Sequence, residues 1–288
     1  MAAETAAPAR ARAGEAVDAM IDRARERDSF ARTLVAVFRY RELLRNLVAK
    51  DLKLKYRGSV LGFVWSLLNP LLMIAVYTVA FKFILQMRSE GFVFYLMLGL
   101  LAWSFFVNSV TMAAGAIVDN GALMKSLFFP RAILPLATVL FNFAQYLLTA
   151  AVFLPVLLVL YRVTPAAPML LFPVFLGLQL LFTIGVALMV ATGTALFRDV
   201  RHFLEFGLAA LFWLTPIVYP LDQVPEGLQK IVLLTPMSPF IVAYHKMFFN
   251  QEWPGPMVWA LAVGYAAAAL AAGSAMMLAH EDKFSEQI

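Results

Sequence analysis

The residue types best suited to acid–base or metal chemistry are few in this sequence and lie far apart. The three histidines are His202, His245 and His280, and their spacing matches no pair of metal ligands on one helix. We expect them to be interfacial or exposed residues. Thiol nucleophiles and Cys-ligated metals are excluded because the chain contains no Cys. The glycine and histidine patterns of hydrolases, zinc proteases and nucleotide-binding loops are also missing. We therefore predict a chain that is not an enzyme and holds no cofactor.

The composition indicates a membrane protein. Of the 288 residues, 62% are hydrophobic and 14% are charged, whereas about a quarter of the residues in a soluble domain are charged. The apolar residues form six blocks, each long enough for the roughly 20 residues of a transmembrane helix. We predict an all-α fold with six spans, at about residues 60–85, 92–118, 133–161, 169–197, 203–221 and 256–279.

The basic residues predict the orientation of these spans. With six spans, eighteen of the 23 Lys and Arg residues lie on the side of the two termini and five on the opposite side. By the positive-inside rule both termini are cytoplasmic. Residues 1–38 form a charged, Ala-rich tail without the apolar core of a signal peptide. A nucleic-acid partner is disfavoured because the charge is concentrated beside the first span.

Two further segments have distinct patterns. Residues 39–57 interleave leucines with basic residues at helical spacing, which predicts an amphipathic interface helix on the cytoplasmic leaflet. Residues 222–250 are apolar but interrupted by Pro225, Pro236 and Pro239. We expect two short re-entrant helices on the outer face here, at about 225–234 and 238–250. The alternative is a seventh full span, which would move the C-terminus outside.

The spans carry no ionisable side chain near their centres, where coupled pumps place proton and ion relays. If the protein moves a substrate uphill, the energy must come from a partner.

Three stretches carry a family resemblance. The sequence LKLKYRGSVLGFVWSLLNPLL at 52–72 resembles the entry to the first span in ABC type-2 permeases, which export O-antigen, teichoic acid and capsular polysaccharide. FRDV at 197–200 followed by PIVYP at 216–220 is a second match. TPMSPFIVAYHKMFF at 235–249 is a weaker third, in which Thr235 and His245 depart from the family pattern. The resemblance covers residues 39–288 as one transmembrane domain.

The resemblance implies partners. Permeases of this family form homodimers, and each copy docks one cytosolic ATPase subunit, which would bind ATP and Mg²⁺. Residues 119–130 match the family's coupling helix in position. We expect an apolar anchor with charged edges there, which is suited to insertion into a cleft on the ATPase; its residues are Leu123, Lys125, Leu127, Phe128, Phe129 and Arg131. The alternative is a loop that touches only lipid headgroups.

The resemblance also places the first and fifth spans along the substrate pathway and makes the outer helices a gate. Aromatic rings bind sugars through their apolar C–H faces, and the candidate pathway residues are Trp65, Tyr77, Phe81, Phe212, Trp213 and Tyr219. Lipid-facing or packing roles for these rings remain open. Arg39 and Arg57 are candidates for binding the diphosphate of a lipid-linked sugar, although contact with anionic lipid headgroups is the simpler interpretation.

We therefore expect a permease subunit of an ABC exporter that moves a lipid-linked polysaccharide across a bacterial plasma membrane. The alternative within the family is an exporter of a drug or small lipid. From a different class, an ion channel or a scaffold without an ATPase is a third possibility.

Overall fold

The computed structural model describes residues 39–57, 64–84, 91–121 and 129–280, and within these ranges the regular structure is helical. The predicted all-α class is confirmed. The helices are α1 (Arg41–Tyr56), α2 (Val64–Thr78), α3 (Phe92–Ala116), α4 (Ile133–Leu160), α5 (Phe172–Leu196), α6 (Val200–Leu214), α7 (Glu226–Leu233), α8 (Ser238–Tyr244) and α9 (Pro256–His280). A π-helical turn, Val79–Ile84, follows α2, and another, His245–Asn250, follows α8; a 3-10 turn, Ala167–Leu171, precedes α5.

Four of the described helices are long and apolar enough to cross a membrane, namely α3, α4, α9 and α5 together with its 3-10 turn. They correspond to the predicted second, third, sixth and fourth spans. The bent pair α7–α8 would raise the number to five if it counts as one span. By contrast, α2 and α6 have 15 residues each, and at about 1.5 Å per residue neither alone matches a hydrocarbon core of about 30 Å.

The helix of the predicted fifth span ends at Leu214 rather than near Leu221. Thr215 adopts an extended conformation, with φ −95° and ψ 135°, because a residue before proline is pushed away from the helical region. The chain then turns through Pro216, and Ile217 and Val218 are buried. This break moves the chain from α6 into the helical bundle.

The helices α5 and α9 pack with their backbones in close approach. A methyl group added at Gly273 would lie 2.2 Å from the carbonyl oxygen of Gly185, and one added at Gly185 would lie 2.2 Å from the carbonyl carbon of Ala269. Small residues allow such approach between membrane helices, where van der Waals packing drives association. Side chains larger than hydrogen are therefore excluded at both glycines.

The helix α1 packs against the end of the bundle at which α3 ends and α4 begins. Leu44 and Leu47 are buried in a cluster with Ile117, Ile133 and Leu136, which we call the inner cluster. The basic residues Arg41 and Arg45 on α1 remain exposed. A helix is thus present within the predicted range 39–57. Its Leu44 and Leu47 are directed at protein, whereas Leu54 is exposed.

The helices α7 and α8 form a hairpin with a bend of 104°, close to the positions predicted from the prolines. It lies at the opposite end of the bundle from the inner cluster. Every residue of α8 is buried, and the hydroxyl of Tyr244 donates a hydrogen bond to Gln179 Oε1 on α5 at 2.7 Å. The ring of Phe240 also stacks on Phe182 of α5, with 5.4 Å between centroids. The helix α8 is therefore inserted among the long helices, whereas α7 is largely exposed.

The prediction for His245 is wrong. Its side chain is 4% exposed, its Nε2 atom lies 2.9 Å from the carbonyl oxygen of Tyr95, and its ring stacks on the Tyr95 ring with 3.5 Å between centroids. The hydroxyl of Tyr95 in turn donates to the carbonyl oxygen of Tyr219 at 3.1 Å. These contacts join the hairpin, the start of α3 and the turn after α6. His202 is exposed, as predicted, and His280 is partly exposed.

Candidate substrate cavity

A cavity of about 940 Å³ lies between the last turn of α1 and the helices α2, α3, α4 and α6. The helix α3 is packed on several sides because it is apolar around its whole circumference. It therefore forms the back wall, against which the shorter helices α2 and α6 are placed. The cavity is large enough for a small molecule or for a segment of a longer one.

Aromatic side chains form much of the cavity wall. Tyr77 on α2 stacks on Phe212 of α6 with 6.0 Å between centroids, and Trp103 on α3 meets the same ring edge-on at 5.7 Å. Trp213 contacts Phe212 at 5.4 Å. Phe105 and Tyr146 also line the cavity. Such rings present flat apolar faces, and Tyr and Trp add polar atoms.

The cavity wall also carries polar side chains, although aliphatic residues such as Leu72, Val76 and Leu208 line it as well. The uncharged polar residues are Asn69, Ser104, Asn108, Thr111, Asn142, Gln145 and Thr149. On α4 the residues at 142, 145 and 149 follow helical spacing and therefore share one face. Asn142 Nδ2 donates to the carbonyl oxygen of Thr138 at 2.9 Å and approaches Met112 Sδ at 3.4 Å. Rings beside amides and hydroxyls are suited to a ligand with many hydroxyl groups.

Among the described residues, the charged ones that line the cavity are Lys55 on α1 and Glu205 on α6. Lys55 Nζ donates a hydrogen bond to Gln145 Oε1 and lies 5.7 Å from the centroid of the Phe141 ring. Desolvation lowers the pKa of Lys55 from its ordinary value. The cavity therefore has one cationic edge, at the junction of α1 and α4.

The structure brings three of the six predicted pathway residues together. Tyr77, Phe212 and Trp213 line the cavity, whereas Trp65 is 45% exposed on α2 and is not part of the wall. Tyr219 lies beyond the end of α6, where its hydroxyl donates to the carbonyl oxygen of Trp213 at 2.9 Å. Phe81 belongs to the π-helical turn after α2, and its side chain lies outside the described part of the structure.

Most of the predicted coupling residues, Leu123, Lys125, Leu127 and Phe128, lie outside the described residues. Phe129 packs against the inner cluster, and Arg131 is half-buried. At the start of the segment, Arg201 Nη2 on α6 donates to Asp119 Oδ1 at 3.3 Å. This ion pair is exposed and links the end of α3 to a helix that lines the cavity. Arg39 and Arg57 are exposed and do not line the cavity.

Sequence reasoning missed Trp103, Lys55, Gln145 and Glu205 as cavity residues. The signal for part of this wall was present, because amides and hydroxyls at 108 and 111 and at 142, 145 and 149 recur at helical spacing inside apolar blocks. Lys55 was visible only as one of several juxtamembrane basic residues. Its contact with α4 depends on how α1 docks, which local spacing does not encode.

Comparison with known proteins identifies the family. A family model described as ABC-2 type transporter matches residues 42–249. The chain belongs to the ABC-2 transporter family. The predicted resemblance is confirmed, and members of this family work with an ABC ATPase subunit.

Named relatives of this ABC-2 family chain are permeases or transport proteins for polysaccharides. The chain is 33% identical to the O-antigen export system permease protein RfbA of Myxococcus xanthus over 257 residues. The aligned region covers 88% of this chain and 97% of the relative. A protein of the same description from Klebsiella pneumoniae is 32% identical over 210 residues, or 73% of this chain and 81% of the relative. The polysialic acid transport protein KpsM of Escherichia coli is 23% identical over 201 residues, or 66% and 75% of the two chains.

Proposed function

We propose that this chain is the membrane-spanning permease subunit of an ABC exporter that moves a lipid-linked polysaccharide. The observation that carries this proposal is the cavity, because its rings, amides and hydroxyls match the apolar faces and hydroxyl groups of sugars. The family and the names of the relatives support the same substrate class. The chain itself catalyses no reaction in this proposal.

The energy comes from two cytosolic ATPase subunits, which hold the ATP and Mg²⁺. Each docks on residues 119–130, with Leu127 and Phe128 as the anchor. The Arg201–Asp119 ion pair gives this segment a direct contact with α6. If the ATPase moves the docked segment, the Arg201–Asp119 pair would transmit that movement to α6, which lines the cavity.

The complete pathway requires a second copy of the chain. In the single chain, α2 and α6 expose large apolar residues, including Val76, Phe203 and Phe206. Aromatic and aliphatic surface of this kind is suited to a partner helix or to lipid. In the homodimer, α2 and α6 serve as the first and fifth of six membrane spans. Tyr77, Phe212 and Trp213 then line the substrate pathway.

Residues 39–288 act as one transmembrane domain in the bacterial plasma membrane, with the tail at 1–38 and the C-terminus in the cytoplasm. The excess of basic residues on the side of the termini supports this orientation. The helix α1 then lies at the cytoplasmic interface, and the α7–α8 hairpin re-enters the outer face and gates the pathway. Arg39 and Arg57 are exposed and face the cytoplasmic leaflet, where anionic lipid headgroups suit them better than the diphosphate of the substrate.

The test is ATP-driven movement of the glycan. The permease and its ATPase would be reconstituted in vesicles with the ATPase outside, and lipid-linked glycan that becomes protected from an added glycosidase would be measured. We expect protection that requires ATP and both subunits. Protection that is independent of ATP would contradict an exporter, and ATP-dependent transport of drugs or simple lipids instead of glycan would favour the alternative substrate class.

A further inference from the structure

The cationic edge of the cavity has a defined hydrogen-bonding direction. Lys55 Nζ donates to Gln145 Oε1. An ammonium group has three donors and no acceptor, so the oxygen of the Gln145 amide must face it. The NH₂ group of Gln145 is therefore directed away from Lys55.

Among the residues that the structure describes, none accepts a hydrogen bond from the NH₂ group of Gln145. The residue is 8% exposed, and its Nε2 atom is buried without a hydrogen bond. Leaving a buried donor without a hydrogen bond is unfavourable. Gln145 lines the cavity, so a rotation of its amide that exposes this donor would let an oxygen acceptor on a bound ligand satisfy it.

Lys55 also retains binding capacity. The ion pairs among the described residues are Arg201–Asp119 and Lys246–Glu252, and Lys55 belongs to neither. One of its three N–H donors is used by Gln145, and the nearby Phe141 ring supplies no acceptor oxygen. Lys55 and Gln145 together therefore offer one positive charge and several N–H donors to a ligand. The acceptor oxygen, Gln145 Oε1, is already occupied by Lys55 Nζ.

We propose that Lys55 and Gln145 form a phosphate subsite, which holds the phosphate or diphosphate that joins the glycan to its lipid. This inference rests on the proposed function and assigns one part of the substrate to one edge of the cavity. Phosphate oxygens only accept hydrogen bonds from such donors, and charge-assisted bonds are the stronger kind. Sugar hydroxyls both donate and accept, and they suit the mixed wall of Asn108, Asn142 and Glu205.

The subsite differs from the cations expected from the sequence. Arg39 and Arg57 are exposed and do not line the cavity, so contact with lipid headgroups suits them. Lys55 is also exposed, but unlike these arginines it lines the cavity beside a buried donor. The glycan would then extend from the subsite toward Trp103, Tyr77 and Phe212.

The test uses the purified permease–ATPase complex and four variants. Lys55→Met removes the charge at similar length, Gln145→Glu replaces the free donor with an anion, and Lys55→Arg retains the charge. Lys53→Met is the matched control, because Lys53 is exposed on the same helix and does not line the cavity. Co-purification of the ATPase and a single peak in size exclusion establish assembly for each variant.

Binding would be measured by native mass spectrometry with three probes: a polyprenyl diphosphate carrying one sugar, the matching polyprenol and phosphatidylglycerol. We expect Lys55→Met and Gln145→Glu to weaken binding of the diphosphate probe by about tenfold or more, since a hydrogen bond to a charged group contributes about 1.5–3 kcal/mol. Binding of the polyprenol should not change, and Lys55→Arg and Lys53→Met should bind like the native complex.

Unchanged diphosphate binding in Lys55→Met and Gln145→Glu would overturn the subsite, as would an equal loss in Lys53→Met. Displacement of the diphosphate probe by an equal concentration of phosphatidylglycerol would overturn the assignment to substrate, because the site would then bind lipid headgroups. If the native complex transported no glycan in vesicles, the proposed function would be refuted. If the native complex transported glycan but Lys55→Met and Gln145→Glu bound the diphosphate probe as the native complex does, only this inference would be refuted.

Discussion

The ring of Tyr77 on α2 stacks on the ring of Phe212 on α6, with 6.0 Å between centroids and 29° between planes. The two residues lie in separate predicted spans, and each was a pathway candidate from the sequence. Trp103 of α3 contacts Phe212 from a third helix. The contact makes Phe212 the centre of an aromatic wall.

We expect loss of the aromatic wall to reduce glycan export. In the double variant Tyr77→Ala, Trp213→Ala, two rings leave the cavity, and each aromatic contact contributes roughly 0.5–1.5 kcal/mol. Export in the vesicle assay should fall by about tenfold. Trp253→Ala is the control, because Trp253 is exposed and is not part of the wall. Equal export by the double variant and this control would refute a role for the rings.

The contact of α5 with α9 should not tolerate a methyl group. Gly185→Ala would place a carbon 2.2 Å from the backbone of Ala269, and overpacking of this kind costs about 1–3 kcal/mol or more. We expect a lower melting temperature by fluorescence-detected size exclusion. Gly177→Ala on the same helix meets nothing within 4 Å and should leave the melting temperature unchanged or raise it. Equal melting temperatures for the two variants would contradict the packing.

His245 should stabilise the hairpin through burial and its contacts with Tyr95. His245→Ala removes the stacked ring and the partner of the Tyr95 carbonyl, and we expect a loss of about 2–4 kcal/mol. The neighbouring change Lys246→Ala removes an ion pair with the exposed residue Glu252 and should cost less than about 1 kcal/mol. Urea or thermal unfolding in detergent would measure both, and similar losses would argue against a specific role for His245.

Charges on the proposed anchor should separate the permease from its ATPase. Leu127→Glu with Phe128→Glu places two carboxylates in an apolar contact, where unpaired charge is strongly unfavourable. We expect normal membrane insertion and loss of ATPase co-purification. Leu228→Glu on α7 lies at the other end of the bundle and should retain the ATPase. Full retention in the double variant would place the docking surface elsewhere.

The sequence predicted the elements whose signals are local. Long apolar blocks set the positions of α3, α4, α5 and α9, and the prolines at 225, 236 and 239 divided the hairpin correctly. The end of α6 was misplaced because apolar residues continue after Leu214, while Thr215 and Pro216 stop the helix without changing the hydropathy.

The cavity was only partly predictable. Tyr77, Phe212 and Trp213, which the family resemblance places along the pathway, line one cavity, whereas nothing in the sequence distinguishes Trp103 from the other aromatic residues of α3. Lys55 and Gln145 are 90 positions apart, and their contact depends on the docking of α1 against α4. Burial of His245 likewise depends on the insertion of the hairpin, which brings it to Tyr95.

The most direct test of the central claim is to tag the chain, extract it from its native host in mild detergent and identify what co-purifies in stoichiometric amount. We expect one ABC ATPase at about one copy per permease, together with a second copy of the permease. Absence of an ATPase under conditions that preserve the permease dimer would contradict an exporter and favour a channel or scaffold.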